Sequence, residues 1–194
     1  MSGNHGSGVA ERVEHLIEAL EKAGLLKGEE VERAADAFLA NASPMNGARL
    51  VARAWKDPGF AARLFADASA VLTELGIDMS HWAKVQLRAV ANTEDVHNVI
   101  VCTLCSCYPV GLLGPSPSWY KSEAYRARVV REPRAVLAEF GVSLPDQVRV
   151  RVWDSTAELR YIVVPARPSG TDGLSEEALA KLVTREGLIG TAVV

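Results

Sequence analysis

Cysteine is scarce in this chain: there are three among 194 residues, all at positions 102–107. An odd, clustered set excludes a secreted disulfide scaffold, which scatters an even number along the chain. A reducing, cytoplasmic setting is therefore expected, and there gathered thiols point to metal or redox chemistry. No basic block is long enough to suggest a nucleic-acid stripe and the net charge is −3, which argues against a nucleic-acid surface read by charge. No apolar run approaches the ~20 residues of a membrane-spanning helix. The opening MSGNHGSGVAER lacks the charged-then-apolar pattern of a secretory signal, and there is no internal repeat. What is there is a globular composition, 48% hydrophobic and 23% charged, with enough chain for one sizeable domain and an arm.

The first eight residues, small and glycine-rich, are expected to be mobile. Val13, Leu16, Ile17 and Leu20 recur at three- and four-residue steps, predicting a helix over 9–23 that Gly24 ends. Further helices are expected over 29–41, 48–55 and 60–75. From residue 84 the pattern alternates. Strands are expected over 84–92 and 96–102, the second running directly into the cysteines. Residues 108–119 hold three prolines and two glycines and read as loop. A helical stretch over 122–140 must break at Pro133. Strands over 147–153 and 158–164, joined by Asp154-Ser155-Thr156-Ala157, read as a hairpin, with Asp154 stabilising its turn. Ser175 is the expected N-cap of a helix to about 185, and 190–194 a last short strand. The whole is an α+β chain: a mobile N-terminus and helical arm over 1–44, then an α/β domain over 45–194 that carries the chemistry.

That chemistry lies in VCTLCSCYP, residues 101–109. A structural zinc site or an iron–sulfur cluster calls for four protein ligands, and only three thiols exist. A thioredoxin-type CxxC opens a helix, whereas proline-rich loop follows here. Three thiolates in one tight loop, with the Ser106 and Cys107 backbone nitrogens beside them, suit a single transition metal with an open position for Lewis-acid chemistry. The bland alternative is buried small hydrophobes. A rival of another class is a non-catalytic metal-storing or redox-responsive thiol protein, which predicts reversible exchange and no oxygenated cysteines.

The loop resembles the metal-binding loop of nitrile hydratase α subunits. So do GARLVARAWKDPGF at 47–60, NTEDVHNVIVC at 92–102, WYKSEAYRARVVREP at 119–133, VRVWDSTAELRYIVVPARPSGTDGLSEEAL at 148–179 and LIGTAVV at 188–194. The resemblance covers about residues 45–194. It implies a layered α/β body with the arm lying over a partner subunit. It implies hydration of a nitrile to an amide at a low-spin non-corrin cobalt(III) or iron(III) centre. Cys102, Cys105 and Cys107 would be the sulfur ligands, and the amides of Ser106 and Cys107 the nitrogen ligands. Cys105 would be oxidised to sulfinic acid and Cys107 to sulfenic acid, the first rungs of cysteine oxidation. Either the sulfenate or an activated water would attack the nitrile carbon. Thr103 and Tyr108 look like the cobalt subgroup. A β-type subunit, or two smaller ones, would supply arginines to the oxidised sulfurs, and a metal-loading activator protein is implied. Thiocyanate hydrolase carries a very similar loop and is the enzyme rival.

The chain also departs from the family's pattern. Ala83 stands where the family places a glutamine, and Gln86, three residues on, points elsewhere on a strand. The family's acidic residue ahead of the NT pair is missing, because Asn92 follows Ala91. Val110 and Gly111 stand where a tryptophan is usual. A roomier pocket, and a bulky, heteroaromatic nitrile, are expected. Tyr120 is a candidate for hydrogen bonding near the site, and Arg160 for contact with the partner subunit. His97 is expected to be a satisfied strand histidine rather than a ligand. Arg126, Arg128, Arg131 and Arg134 read as a solvated basic stripe or a subunit interface, and the four tryptophans as core or interface.

Overall fold

The computed structural model describes residues 7–77, 85–105 and 107–194. Ser106, Ala83, the first six residues and the start of the first expected strand lie outside the described residues. The chain gathers into two units, one ending at Asn41 and one spanning Ala42–Val194.

The first unit is two helices, α1 (Ser7–Lys22) and α2 (Gly28–Asn41). Gly24, at φ 68°, ends α1 in the left-handed conformation. The Glu21 carboxylate accepts the Gly28 N–H at the start of α2. Val9, Val13 and Leu16 are exposed along one side of α1.

The second unit opens with α3 (Pro44–Lys56), α4 (Pro58–Ala66) and α5 (Ala68–Glu74). Helix α3 starts earlier than its apolar pattern indicates, because Ser43 caps it and Pro44 takes the first helical turn, where no donor is needed. The single helix expected over 60–75 is two. Asp67 closes α4 with its own N–H on Arg63 O, while its carboxylate accepts from Ala70 N to begin α5. A short acidic side chain that can bond nearby backbone is a better cap than helix interior.

Four strands follow: β1 (Gln86–Ala91), β2 (Val96–Val101), β3 (Arg149–Asp154) and β4 (Leu159–Val164). They do not form the expected hairpin. β1 pairs in parallel with β4, and β2 in parallel with β3, in two separate two-stranded sheets. The link from β3 to β4 is an arch that crosses from one sheet to the other. Ser155 N still bonds Val101 O of β2, whereas Glu158 O already accepts from Gln86 N of β1. The link from β1 to β2 is built the same way. Thr93 N bonds Val96 O while its hydroxyl accepts from Asp95 N and Val96 N. Thr156 N bonds Leu159 O while its hydroxyl accepts from Glu158 N and Leu159 N. Threonine thus makes the same side-chain-supported turn in both arches.

The stretch read as loop contains α6 (Val110–Leu113) and a 3-10 turn at Ser118–Lys121. Pro133 separates α7 (Glu123–Arg131) from α8 (Pro133–Glu139). The helix expected from Ser175 to about 185 is two short ones, α9 (Glu176–Ala180) and α10 (Arg185–Ile189), because Thr184 caps the second on Gly187 N. No strand forms over 190–194. Gly190 instead ends α10 at φ 91°, packed against the Asn98 carbonyl.

Helix α3 packs on α6, α9 and α10, α10 on β4, α5 on β1 and α8 on β3. Gly47 of α3 permits the close approach: a Cβ there would lie 2.7 Å from Leu188 Cδ1 and 2.9 Å from Leu112 O. The core runs through Val51, Phe60, Leu64, Ile100, Leu113, Leu137, Ile162 and Leu188. Among the described residues no helix is long and apolar enough to cross a membrane.

Candidate metal centre

The pairing of β2 with β3 fixes where the cysteines emerge. The register sets Val101 beside Asp154, so the two strands end side by side and Cys102 leaves β2 at that end. From there the loop turns back on itself. The Cys102 and Cys105 sulfurs are 3.3 Å apart, those of Cys105 and Cys107 3.0 Å, and all three lie within 4.8 Å of one another. Both gaps are far longer than the ~2.05 Å of a disulfide. Two sulfurs bonded to a common ion at ~2.3 Å are ~3.3 Å apart at a right angle and ~3.8 Å at the tetrahedral angle. The observed gaps match the first, adjacent positions of an octahedron, better than a tetrahedral zinc site. Cys102 and Cys107 are buried and Cys105 is exposed, so the cluster has a closed floor and an open face. Burial, followed by the hydrogen bond from Cys105, pushes the Cys107 thiol up to about 12, with the Arg160 guanidinium pulling the other way. A buried thiol of this kind keeps its proton unless a cation replaces it. The donor set therefore fits a soft-ligand transition metal.

The loop is held from several sides. The Asp154 carboxylate accepts the Thr103 N–H at 2.9 Å and the Thr103 hydroxyl at 2.5 Å. The hairpin role expected for Asp154 is therefore replaced: it ends β3 and anchors the cysteine loop. Arg126 Nη1, from α7, donates to Thr103 O at 3.3 Å and Cys105 O at 3.5 Å. Cys105 N–H points at the Cys102 sulfur, 3.3 Å away. Below the loop, Tyr120 is fully buried and its hydroxyl donates to Cys107 O at 3.1 Å; burial above all raises its pKa. Tyr108 stacks edge-on against Tyr120 at 4.9 Å. Ser155 is buried, with its side chain beside the Tyr120 hydroxyl.

The structure thus brings Cys102, Cys105, Cys107 and Tyr120 together, while Ser106 lies outside the described residues. Arg160 donates to its neighbouring carbonyls, Thr156 O and Leu159 O, and acts on Cys107 through its charge. His97 is not at the centre. Its Nε2 donates to Gly190 O at 2.8 Å, and its Nδ1 faces Asn92 Nδ2 at 3.3 Å. The basic stripe is not a uniform solvated face. Arg128 pairs with Glu132 and Glu139, Arg134 donates to carbonyls between Leu144 and Val148, and Arg126 reaches the cysteine loop. Asp154 and Arg126 are the contacts that sequence reasoning misses. Asp154 becomes visible only through the β2–β3 register, and nothing local distinguishes Arg126 from the other three arginines on its stretch.

Comparison with known proteins agrees with this geometry. The family described as "Nitrile hydratase, alpha chain" matches residues 7–192. The low-molecular weight cobalt-containing nitrile hydratase subunit alpha of Rhodococcus rhodochrous is 46% identical over 185 residues, 95% of this chain and 88% of its own length. Thiocyanate hydrolase subunit gamma of Thiobacillus thioparus is 45% identical over 184 residues, 90% of this chain and 75% of its own. Among solved structures, a double mutant of the Fe-type nitrile hydratase from Comamonas testosteroni Ni1 superposes with a TM-score of 0.90 at 42% identity, covering 98% of this chain and 92% of that one.

Proposed function

The chain belongs to the nitrile hydratase alpha-chain family, and from that premise we propose that it is the catalytic, metal-bearing subunit of a nitrile hydratase. The observation that carries this is the convergence of three cysteine sulfurs at gaps of 3.0 and 3.3 Å on one loop. Cys102, Cys105 and Cys107 would hold the metal, joined by the backbone nitrogens of Ser106 and Cys107. Cobalt(III) is preferred to iron(III), because Thr103 and Tyr108 follow the cobalt pattern and several relatives are cobalt-containing. When bound, the metal supplies a Lewis acid that polarises a nitrile or lowers the pKa of a water.

The chain's own residues then orient and shield. Asp154, Arg126 and Tyr120 fix the loop backbone, and the buried floor excludes water from the side of Cys102 and Cys107. Cys105 and Cys107 are the residues to be oxidised, to sulfinic and sulfenic acid, and of the two Cys105 lies on the open face. The net reaction adds water across the carbon–nitrogen triple bond. The water oxygen bonds to the nitrile carbon, both hydrogens end on the nitrogen, and nothing is oxidised or reduced.

A β-type subunit would cover that face. Leu104, beside Cys105, is 89% exposed, an apolar side chain that a partner would bury. The exposed Val9, Val13 and Leu16 of α1 likewise suit an arm, residues 1–44, that lies over a partner subunit. The departures at Ala83, Val110 and Gly111 favour a bulky, heteroaromatic nitrile. An activator protein and a cytoplasmic location belong to the same reading. Thiocyanate hydrolysis is the second reading, favoured by the relative that is 45% identical.

The test is tryptic mass spectrometry and elemental analysis of the chain co-expressed with its genomic neighbours. About one cobalt per chain, two oxygens on Cys105 and one on Cys107 are expected, together with amide formation from a nitrile. Zinc, or no metal and no added oxygen, in the assembled complex would overturn the reading. Carbonyl sulfide release from thiocyanate without nitrile turnover would favour the alternative.

A further inference from the structure

Resting on the metal-bearing reading, we propose that Arg126 is a positioning residue for the metal loop, setting the spacing of Cys102 and Cys105 through the backbone between them. Thr103 is gripped at both ends. Its N–H and hydroxyl go to the Asp154 carboxylate, and its carbonyl receives Arg126 Nη1 at 3.3 Å. The same Nη1 lies 3.5 Å from the Cys105 carbonyl, so one guanidinium spans the stretch that separates the first two sulfurs. The base of this arm is rigid. Tyr125, the preceding residue, is buried and donates its hydroxyl to Ile100 O of β2 at 2.7 Å, and Val129 one turn on is fully buried.

Charge argues in the same direction. Arg128, two residues further, spends its charge on Glu132 and Glu139. Among the described residues Arg126 meets carbonyls and no carboxylate, and its Nε is buried without a partner. A guanidinium seated on the Thr103 and Cys105 carbonyls adds positive charge to the loop whose sulfurs carry negative charge as metal ligands. Both bonds come from the single Nη1, and arginine suits the task because the planar guanidinium fixes the directions of that nitrogen's two N–H groups, which a freely rotating lysine ammonium does not.

The experiment uses the assembled complex, with R126Q and R126K compared with wild type and with R128Q as the control on the same helix. Two properties are read: the rate of cobalt release to an excess chelator, and the position of the sulfur-to-metal charge-transfer absorption. R126Q is expected to release metal more than tenfold faster with a shifted band, R126K several-fold faster, and R128Q at the wild-type rate. R126K keeps length and charge at a half-exposed helical position, and it decides the matter if R126Q does not assemble. Wild-type release and an unshifted band in R126K, or in both variants, overturn the proposal. A wild-type complex that holds no metal would instead sink the metal-bearing reading and this inference with it.

Discussion

The carboxylate of Asp154, the last residue of β3, takes both the N–H and the hydroxyl of Thr103, the residue after the first cysteine. This ties the metal loop to the neighbouring strand through two charge-assisted hydrogen bonds, each stronger than a neutral one. It makes the β2–β3 register a determinant of the site, because only that pairing sets the end of β3 against the start of the loop.

Removing the tie should loosen the loop without unfolding the body. Asp154 is exposed and contributes nothing to the core. D154A is expected to weaken metal retention about tenfold, corresponding to the ~1.5 kcal/mol lower end for a hydrogen bond to a charged group. D154N, which keeps one acceptor, should fall between. Chelator competition on complexes of unchanged melting temperature checks this.

The sulfurs themselves should behave as a set. Replacing Cys105 or Cys107 with alanine removes the member closest to its neighbour, since Cys105 stands 3.3 Å from Cys102 and 3.0 Å from Cys107. Metal content measured on the purified complex should drop to background in either variant, with loss of nitrile turnover. A variant that keeps both metal and activity contradicts the ligand assignment.

His97 gives stability a pH dependence whose sign can be worked out. Asn92 Oδ1 already accepts from Asn98 N and Nδ2, so its amide turns Nδ2–H toward His97 Nδ1. With Nε2–H donating to Gly190 O, the ring is neutral, and burial lowers its pKa in spite of that backbone bond. The unfolded chain, with a histidine pKa of ~6.5, therefore takes up a proton before the folded one. The contribution is complete above about pH 6.5 and is lost as pH falls through the folded value. Urea midpoints of the wild type should decline from pH 7.5 to pH 5, and H97Q should show a flatter profile.

Much of the helical pattern was legible, because α1, α2, α7 and α8 carry both their periodicity and their stops in local residues such as Gly24 and Pro133. Strand positions were legible within a few residues as well. Strand pairing was not. Ser155–Glu158 has the length and composition of a hairpin turn, and only the opposing sheet decides that β4 joins β1 instead of β3. The misreading of Asp154 follows from that error. Within the site, three thiols in six residues could be read directly from the sequence. The backbone clamps around them depend on long-range register, which no local pattern encodes.

Gly190 illustrates such a long-range constraint. A Cβ at this position would sit 2.0 Å from the Asn98 carbonyl oxygen, and its φ of 91° disfavours any other residue. The Asn98 side chain in turn accepts from Trp153 Nε1 and donates to Ala91 O, so β2 has no room to yield. G190A should destabilise the fold by more than about 3 kcal/mol, seen as insoluble or unassembled chain. Near wild-type melting of G190A would show that β2 can shift.

Substrate size should answer to Val110. It opens α6 three residues after Cys107, is half-buried, and is followed by the buried Gly111. The proposed roomy pocket arises because Val110 and Gly111 stand where the family pattern carries an indole. Restoring bulk with V110W should leave the sulfur cluster intact, since Val110 touches the loop only through its backbone N–H on Tyr108 O, which the substitution keeps, and metal content should be unchanged. It should cut kcat/KM for a heteroaromatic nitrile about 100-fold, the scale on which a filled apolar pocket discriminates, and leave a small aliphatic nitrile within a few-fold. Equal losses on both substrates would place Val110 away from the substrate and shift the size argument to Ala83. The comparison of two substrates on one variant separates a change of pocket from a general loss of catalytic competence.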